Sequence, residues 1–98
     1  MNIKDRKDGS KLVVKVEGRI DTTTAPELFD VFQKSSAGVK ELVIDLEKVD
    51  YVSSAGLRFF LSAQKTMQVQ GKMVLKNVTE EVMSVFELTG FNEILTIE

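Results

Sequence analysis

The chain has 98 residues and a mass of 11.0 kDa, which predicts one domain spanning residues 1–98. It contains no cysteine and no histidine, so disulfide frameworks, thiol nucleophiles and histidine-based catalytic or metal sites are excluded. The formal net charge is −2, from 13 basic and 15 acidic residues, and this balance shows no electrostatic preference for nucleic acid. We therefore expect a binding module rather than an enzyme, with no cofactor and no metal.

The sequence carries no signal for a membrane or for secretion. No apolar run approaches the roughly 18 residues that predict a membrane span. The first five residues include Lys4 but contain no apolar core, so they do not resemble a secretory signal. We expect a cytoplasmic protein that does not insert directly into a membrane.

The N-terminal third predicts a hairpin followed by a helix. Ile3–Arg6 and the β-branched, loosely alternating Lys11–Glu17 flank a turn sequence, so we expect two short paired strands. Ala25–Ser35 has apolar residues at helical spacing and predicts an amphipathic helix. Thr24 and Glu27 resemble a capping box, in which the threonine hydroxyl caps the start of this helix.

The middle of the chain predicts a buried strand and a second helix. Glu41–Leu46 is a compact apolar run, typical of a strand in a mostly parallel sheet. The mixed acidic and apolar residues of Glu47–Val52 predict a connecting stretch. The second helix is expected to begin near Ser53 and Ser54 and to end at Gly71. Its apolar face is predicted to comprise Leu57, Phe60, Leu61 and Met67.

The C-terminal third predicts a strand, a third helix and a last strand. Lys72–Lys76 reads as a strand, Thr79 as the cap of a helix that ends at Gly90, and Glu93–Ile97 as the last strand. Alternation of strands and helices predicts an α/β fold with right-handed crossovers. We expect a mixed sheet of about five strands, with the helices packed mainly on one face.

Two adjacent hydroxyls, Ser53 and Ser54, stand where the chain passes into the second helix. The N-terminus of a helix presents unpaired N–H groups and a partial positive charge, which together stabilise an anion such as a phosphate. The alternative is purely structural: Ser53 caps the helix and Ser54 is an ordinary residue of the first turn. The residues alone leave both interpretations open.

These serines lie in a segment that resembles a known signature. Ser53-Ser54-Ala55-Gly56-Leu57, after an apolar strand and the Val49–Val52 connector, is similar to the motif of anti-sigma factor antagonists. Those proteins are single-domain members of the STAS family (sulfate transporter and anti-sigma factor antagonist). Gly18–Asp21 and Val85–Phe91 resemble the family's first loop and the end of its third helix. The resemblance spans essentially the whole chain and implies a STAS-like fold.

The resemblance also implies a phosphorylated serine. The family pattern is Asp-Ser-Ser/Thr-Gly-Leu, in which the serine after the aspartate is phosphorylated. Alignment on Gly56 and Leu57 places this acceptor on Ser54 and puts Ser53 at the usual aspartate position. Ser53 is therefore a second, less favoured acceptor, and it cannot supply a carboxylate beside Ser54.

A partner-contacting surface is expected around this motif. Asp21 belongs to the family's first loop, although an aspartate in a turn is as often a local cap. Arg58 either pairs with anionic groups or is simply solvated. Phe59 is either an exposed anchor for a partner or a buried residue at the edge of the helix. The predicted surface comprises Asp21, Thr22, Thr23, Ser53, Ser54, Gly56, Arg58 and Phe59.

The partners that the resemblance implies are an anti-sigma factor that is also a Ser/Thr kinase, and a Ser/Thr phosphatase. Unphosphorylated protein would bind the anti-sigma factor and release a sigma factor, and phosphorylation at Ser54 would end this binding. An alternative role within the same family is that of a cytoplasmic subunit of a lipid-transport ATPase. An enzyme is disfavoured because no paired carboxylates and no phosphate-binding glycine loop are present.

Overall fold

A computed structural model describes residues 2–98. Strands and helices alternate along these residues after an initial hairpin. They are β1 (Asn2–Asp8), β2 (Lys11–Ile20), α1 (Ala25–Ser35), β3 (Glu41–Val52), α2 (Ser54–Gln70), β4 (Lys72–Lys76), α3 (Glu80–Thr89) and a 3-10 turn (Phe91–Glu93). None of the helices among residues 2–98 combines the length and the apolar character needed to cross a membrane.

The strands form one mixed sheet in the order β1-β2-β3-β4. β1 and β2 are antiparallel, whereas β2, β3 and β4 are parallel and are linked through α1 and α2. The residues of β2 that point toward the helices, such as Leu12 and Val14, are buried in the core, whereas Lys11 and Lys15, which flank them, are exposed. Packing of the helices on one face of a mixed sheet confirms the predicted architecture.

Edge-to-face contacts between phenylalanine rings organise the helical side of the core. The Phe29 and Phe59 centroids are 5.1 Å apart and link α1 to α2. Phe59 contacts Phe60 at 5.6 Å, and Phe60 contacts Phe86 of α3 at 5.7 Å. Because aromatic pairs in this geometry add favourable electrostatics to the area they bury, the three helices share one continuous aromatic cluster.

The stretch Glu47–Val52, predicted to be a connection, instead continues β3 without a break. The parallel register between β2 and β3 shifts twice, and each time β3 contains one residue more than β2. Each extra residue moves the following side chains to the other face of the sheet. Leu46, Val49 and Val52 therefore all face the core although they are three residues apart. A regular strand places every second residue on the same face, so this spacing did not predict a strand.

The predicted fifth strand, Glu93–Ile97, is mostly absent. Phe91–Glu93 form a 3-10 turn, and the N–H groups of Ile94 and Leu95 both donate to the carbonyl of Phe91. Those N–H groups are therefore not available to a neighbouring strand. Only Ile97 forms a parallel bridge to Leu75, so the sheet has four full strands among the described residues.

The three helices begin in different ways, and this corrects one prediction. The Thr24 hydroxyl forms no cap bond within α1; it accepts from the Asp21 N–H at 2.8 Å instead and donates to the Arg19 carbonyl at 2.7 Å. The predicted capping box with Glu27 is therefore wrong. At the start of α2, the Ser53 hydroxyl is buried and has no hydrogen-bond partner. Thr79 caps α3 as predicted, accepting from the Val82 N–H and donating to the Val49 carbonyl at 2.8 Å.

The residues that precede α2 and α3 should differ in their effect on stability. Thr79→Ala removes two hydrogen bonds and should lower the free energy of unfolding by about 1–2 kcal/mol. Ser53→Ala removes a hydroxyl that bonds to nothing and should change it by less than ~0.5 kcal/mol. Urea denaturation followed by circular dichroism measures both values. A loss for Ser53→Ala as large as that for Thr79→Ala would contradict the described α2 start.

Candidate functional site at the ends of strands β2 and β3

The carboxyl ends of two parallel strands bring the predicted surface together. Ile20 at the end of β2 lies opposite Val52 at the end of β3. The Ser53 N–H continues this pairing by donating to the Ile20 carbonyl at 2.8 Å. The loop after β2 and the start of α2 therefore leave the sheet side by side.

A compact turn fixes the loop between β2 and α1. One carboxylate oxygen of Asp21 accepts hydrogen bonds from the Thr23 hydroxyl at 2.8 Å, the Thr23 N–H at 3.0 Å and the Thr24 N–H at 3.1 Å. The Ala25 N–H donates to the Asp21 carbonyl at 2.8 Å and starts α1. Asp21 thus acts as a local cap for this turn, while Thr22 and Thr23 remain exposed.

These donors hold Asp21 in its charged form. The hydroxyl of Thr23 and then the backbone N–H groups of Thr23 and Thr24 lower the pKa of Asp21 from 3.8 to about 2. The surface therefore carries a fixed negative charge at this point throughout the neutral and mildly acidic range.

The two serines of the motif differ in their access to solvent. Ser54 is exposed as the first residue of α2, whereas the hydroxyl oxygen of Ser53 is buried. An enzyme that modifies a side chain must reach its oxygen, so this difference favours Ser54 as the acceptor. It also means that Ser53 neither caps α2 nor lies open on the surface.

Gly56 is part of the packing rather than of an exposed surface. It is buried, and a Cβ at this position would lie 2.7 Å from Val52 Cγ1 and 2.8 Å from Ile20 Cγ2. The absence of a side chain lets the first turn of α2 approach the ends of both strands. This close approach, and not contact with another chain, explains why glycine occupies position 56.

Phe59 was also predicted to lie on the surface, but the structure buries it. Its side chain is only 2% exposed, and its ring lies in the aromatic cluster between Phe29, Phe32 and Phe60. The small residues Ala55, Gly56 and Ala63 are also buried. They let α2 approach the sheet closely on a face rotated from the predicted one, which buries Phe59 and leaves Leu57 and Leu61 half-buried. Phe59 is therefore not an exposed anchor for a partner.

Arg58 remains exposed and borders a groove that the sequence did not reveal. A cavity of about 390 Å³ between α1 and α2 is lined by Phe29, Arg58, Leu61, Ser62 and Lys65. A smaller cavity of about 190 Å³ continues from Phe29 and Arg58 toward Thr22. Phe29 is half-buried because it packs against Phe59 of α2. The sequence of α1 alone does not indicate this contact, so it could not predict the groove.

A second feature missed from the sequence lies beside the turn. The guanidinium carbon of Arg19 is 4.1 Å from the centre of the Tyr51 ring, and its Nε is 4.0 Å from a carboxylate oxygen of Asp21. Arg19 and Tyr51 are register partners in β2 and β3, so they share one face of the sheet. This contact results from the pairing register of β2 and β3, which cannot be predicted from the sequence of either strand.

The pKa of Asp21 should depend on the Thr23 hydroxyl. NMR titration of the side-chain carboxyl carbon should give a value of about 2, and Thr23→Val should raise it by removing the strongest donor. Thr22→Val changes a neighbouring exposed threonine and should leave the pKa unchanged. Because the folded pKa lies below the unfolded value, Asp21 contributes stability above pH ~4 that is lost as the pH falls toward 2. An Asp21 pKa near 3.8 in the native protein would contradict the described turn.

Gly56→Ala should destabilise the fold because its methyl group collides with Val52 and Ile20. The expected loss in the free energy of unfolding is about 1–3 kcal/mol, measured by urea denaturation. Ser62→Ala, on the exposed side of the same helix, is the matched control and should be nearly neutral. Combining Gly56→Ala with Val52→Ala should cost less than the sum of the single changes, since the smaller side chain makes room. Strict additivity would argue against this contact.

Comparisons with known proteins agree with this geometry. The family model of the STAS domain matches residues 2–98. The anti-sigma-B factor antagonist of Listeria monocytogenes is 36% identical over 102 residues, covering 100% of this chain and 87% of that protein.

Solved structures show the same fold at lower identity. An anti-sigma factor antagonist from Mycobacterium paratuberculosis has a TM-score of 0.85 at 23% identity, covering 98% of this chain and 83% of that one. The Bacillus cell fate determinant SpoIIAA in its phosphorylated form has a TM-score of 0.77 at 15% identity, covering 99% and 91%. The match to the family model over nearly the whole sequence, together with this shared fold, establishes that the chain belongs to the STAS domain family.

Proposed function

We propose that this chain is an anti-sigma factor antagonist whose binding to its anti-sigma factor is switched off by phosphorylation of Ser54. The supporting observation is the exposed Ser54 at the start of α2, beside the Asp21 turn, in a chain 36% identical to an anti-sigma-B factor antagonist. The role is that of a regulatory binding partner in the cytoplasm. The anti-sigma factor is the Ser/Thr kinase, and a Ser/Thr phosphatase restores the unmodified state.

The proposed contact surface surrounds Ser54. It includes the exposed Thr22 and Thr23, the exposed Arg58 and the groove that ends at Lys65. The floor of this groove is apolar, from Phe29 and Leu61, and its rim is basic. Such a surface suits a partner segment with apolar side chains and acidic flanks, because apolar burial gives affinity and complementary charge gives orientation.

Phosphorylation changes this surface through charge and desolvation. A phosphoserine carries a charge of about −1.5 to −2 at neutral pH. At Ser54 it would stand at the same edge of the sheet as the Asp21 carboxylate, which the turn keeps ionised. An acidic partner segment would then meet two negative groups and would have to desolvate the phosphate, so we expect binding to weaken.

Phosphosite mapping tests the proposal. Purified protein is incubated with MgATP and the anti-sigma factor of its host, and trypsin then releases Val49–Arg58 as one peptide containing both serines. We expect phosphate on Ser54, lost in Ser54→Ala and retained in Ser53→Ala. Phosphate on Ser53 would overturn the assignment of the acceptor, and an unmodified peptide would overturn the phosphorylation switch.

A binding measurement tests whether a negative charge at Ser54, rather than loss of the serine hydroxyl, weakens binding to the anti-sigma factor. By calorimetry, Ser54→Ala should bind the anti-sigma factor like the native protein, whereas Ser54→Asp should bind at least ~10-fold more weakly. Ser84→Asp, on the exposed side of α3, is the matched control and should leave binding unchanged. Failure of the native protein to bind, with co-purification of a transport ATPase instead, would favour the transporter-subunit role.

A further inference from the structure

The face of the sheet that carries no helix presents a concentrated positive charge. Its β1–β2 part exposes Lys4, Arg6, Lys11 and Lys15 around the half-buried Val13; we call these residues the basic face. The register places Lys4 opposite Lys15 and Arg6 opposite Val13, so the four cations surround the valine. None of the four forms a salt bridge with residues 2–98.

The basic face also encloses a shallow apolar depression. A cavity of about 410 Å³ has Val13 as its apolar side chain, and it is otherwise lined by the four basic residues and by two carboxylates, Asp5 and Asp8, so its net charge is positive. Lysine and arginine carry long apolar stems below their charges, so this lining can accept an apolar side chain while the charges contact anions. The depression lies on the side of the sheet away from α2 and Ser54.

On the helical side of the sheet, the C-terminal segment with α3 is acidic. Residues 77–98 contain five glutamates and no lysine or arginine. The outward side of α3 presents Glu80 and Glu81 in its first turn and Glu87 beside Leu88, which is 88% exposed; we call these residues the acidic end. An exposed leucine on an acidic helix is a small apolar projection, and it matches in character the depression over Val13.

We infer that copies of this chain associate head to tail, with the acidic end of one copy docking on the basic face of the next. In this docking Leu88 enters the depression over Val13, and the glutamates of α3 pair with the lysines around that depression. A symmetric pairing is disfavoured because two basic faces, or two acidic ends, would repel each other. The two surfaces lie on opposite sides of the sheet, so the association is heterologous and can propagate beyond a dimer.

The expected association is weak and depends on salt. A helix of the length of α3 extends only about 15 Å, so the contact lies below the ~1,200 Å² of stable interfaces. The charges involved are exposed, so a rise in ionic strength from about 10 mM to about 1 M, which shortens the screening length from ~30 to ~3 Å, should abolish it.

Two complementary variants test the inference. Lys4→Glu with Lys15→Glu blocks the basic face, and Glu87→Lys with Leu88→Lys blocks the acidic end. The new lysines lie in the last turn of α3, where a cation is favourable, so the helix should be retained. Sedimentation velocity at low salt should show the native protein growing with concentration up to millimolar levels, whereas each variant alone stays monomeric.

Mixing the two variants gives the decisive result. One keeps its basic face and the other its acidic end, so an equimolar mixture should form a heterodimer and nothing larger. With one variant labelled with ¹⁵N at a time, NMR shifts should be confined to the basic face of one and to α3 of the other. Lys34→Glu with Lys40→Glu makes the same change in net charge as the basic-face variant at exposed positions elsewhere, and this control should associate like the native protein.

Three outcomes would overturn the inference. They are a native protein that remains monomeric at millimolar concentration and low salt, variants that still self-associate, and a mixture in which no heterodimer forms. Thermal melting of every variant verifies that the fold is intact before these results are interpreted. Because no kinase or anti-sigma factor takes part, a failure here leaves the proposed switch at Ser54 untouched.

Discussion

The parallel register of β2 on β3 is the constraint on which the candidate surface depends. It places Ile20 opposite Val52, and the Ser53 N–H extends the pairing to the first residue before α2. Gly56 lets that helix approach both strand ends, so the turn at Asp21 and the exposed Ser54 lie at one edge. A bulkier residue at position 56 would push the helix away and separate the groups that this edge brings together.

The sheet divides the molecule into two surfaces with different chemistry. On one side the three helices share an aromatic cluster, and the groove between α1 and α2 leads toward Ser54. On the other side, the face of the sheet without helices carries lysine and arginine around a row of register-paired valines. Contacts made on the second side need not compete with contacts made at Ser54, because the whole thickness of the core lies between them.

The sequence predicted the order of the elements well, because helical spacing, caps and apolar runs are local signals. The α1 bounds and the cap and end of α3 were predicted correctly. The errors arose where distant parts of the chain decide the outcome. The bulges of β3 depend on its pairing with β2, and the burial of Phe59 depends on the small residues that turn α2 toward the sheet. The edge around Ser54 was predictable from the motif, whereas the groove at Phe29 and the Arg19–Tyr51 contact required three-dimensional packing.

The turn that holds Asp21 makes the charge at this surface insensitive to moderate changes in pH. The chain contains no histidine and no cysteine, and the Asp21 carboxyl has a pKa of about 2. A fall of one or two pH units from neutrality therefore leaves the charge of this carboxylate unchanged. A phosphate added nearby would be the one group there with an ionisation near pH 6. The Asp21 carboxylate therefore gives this surface no response to acidity in that range, and phosphorylation at the proposed Ser54 site would add a group that does respond.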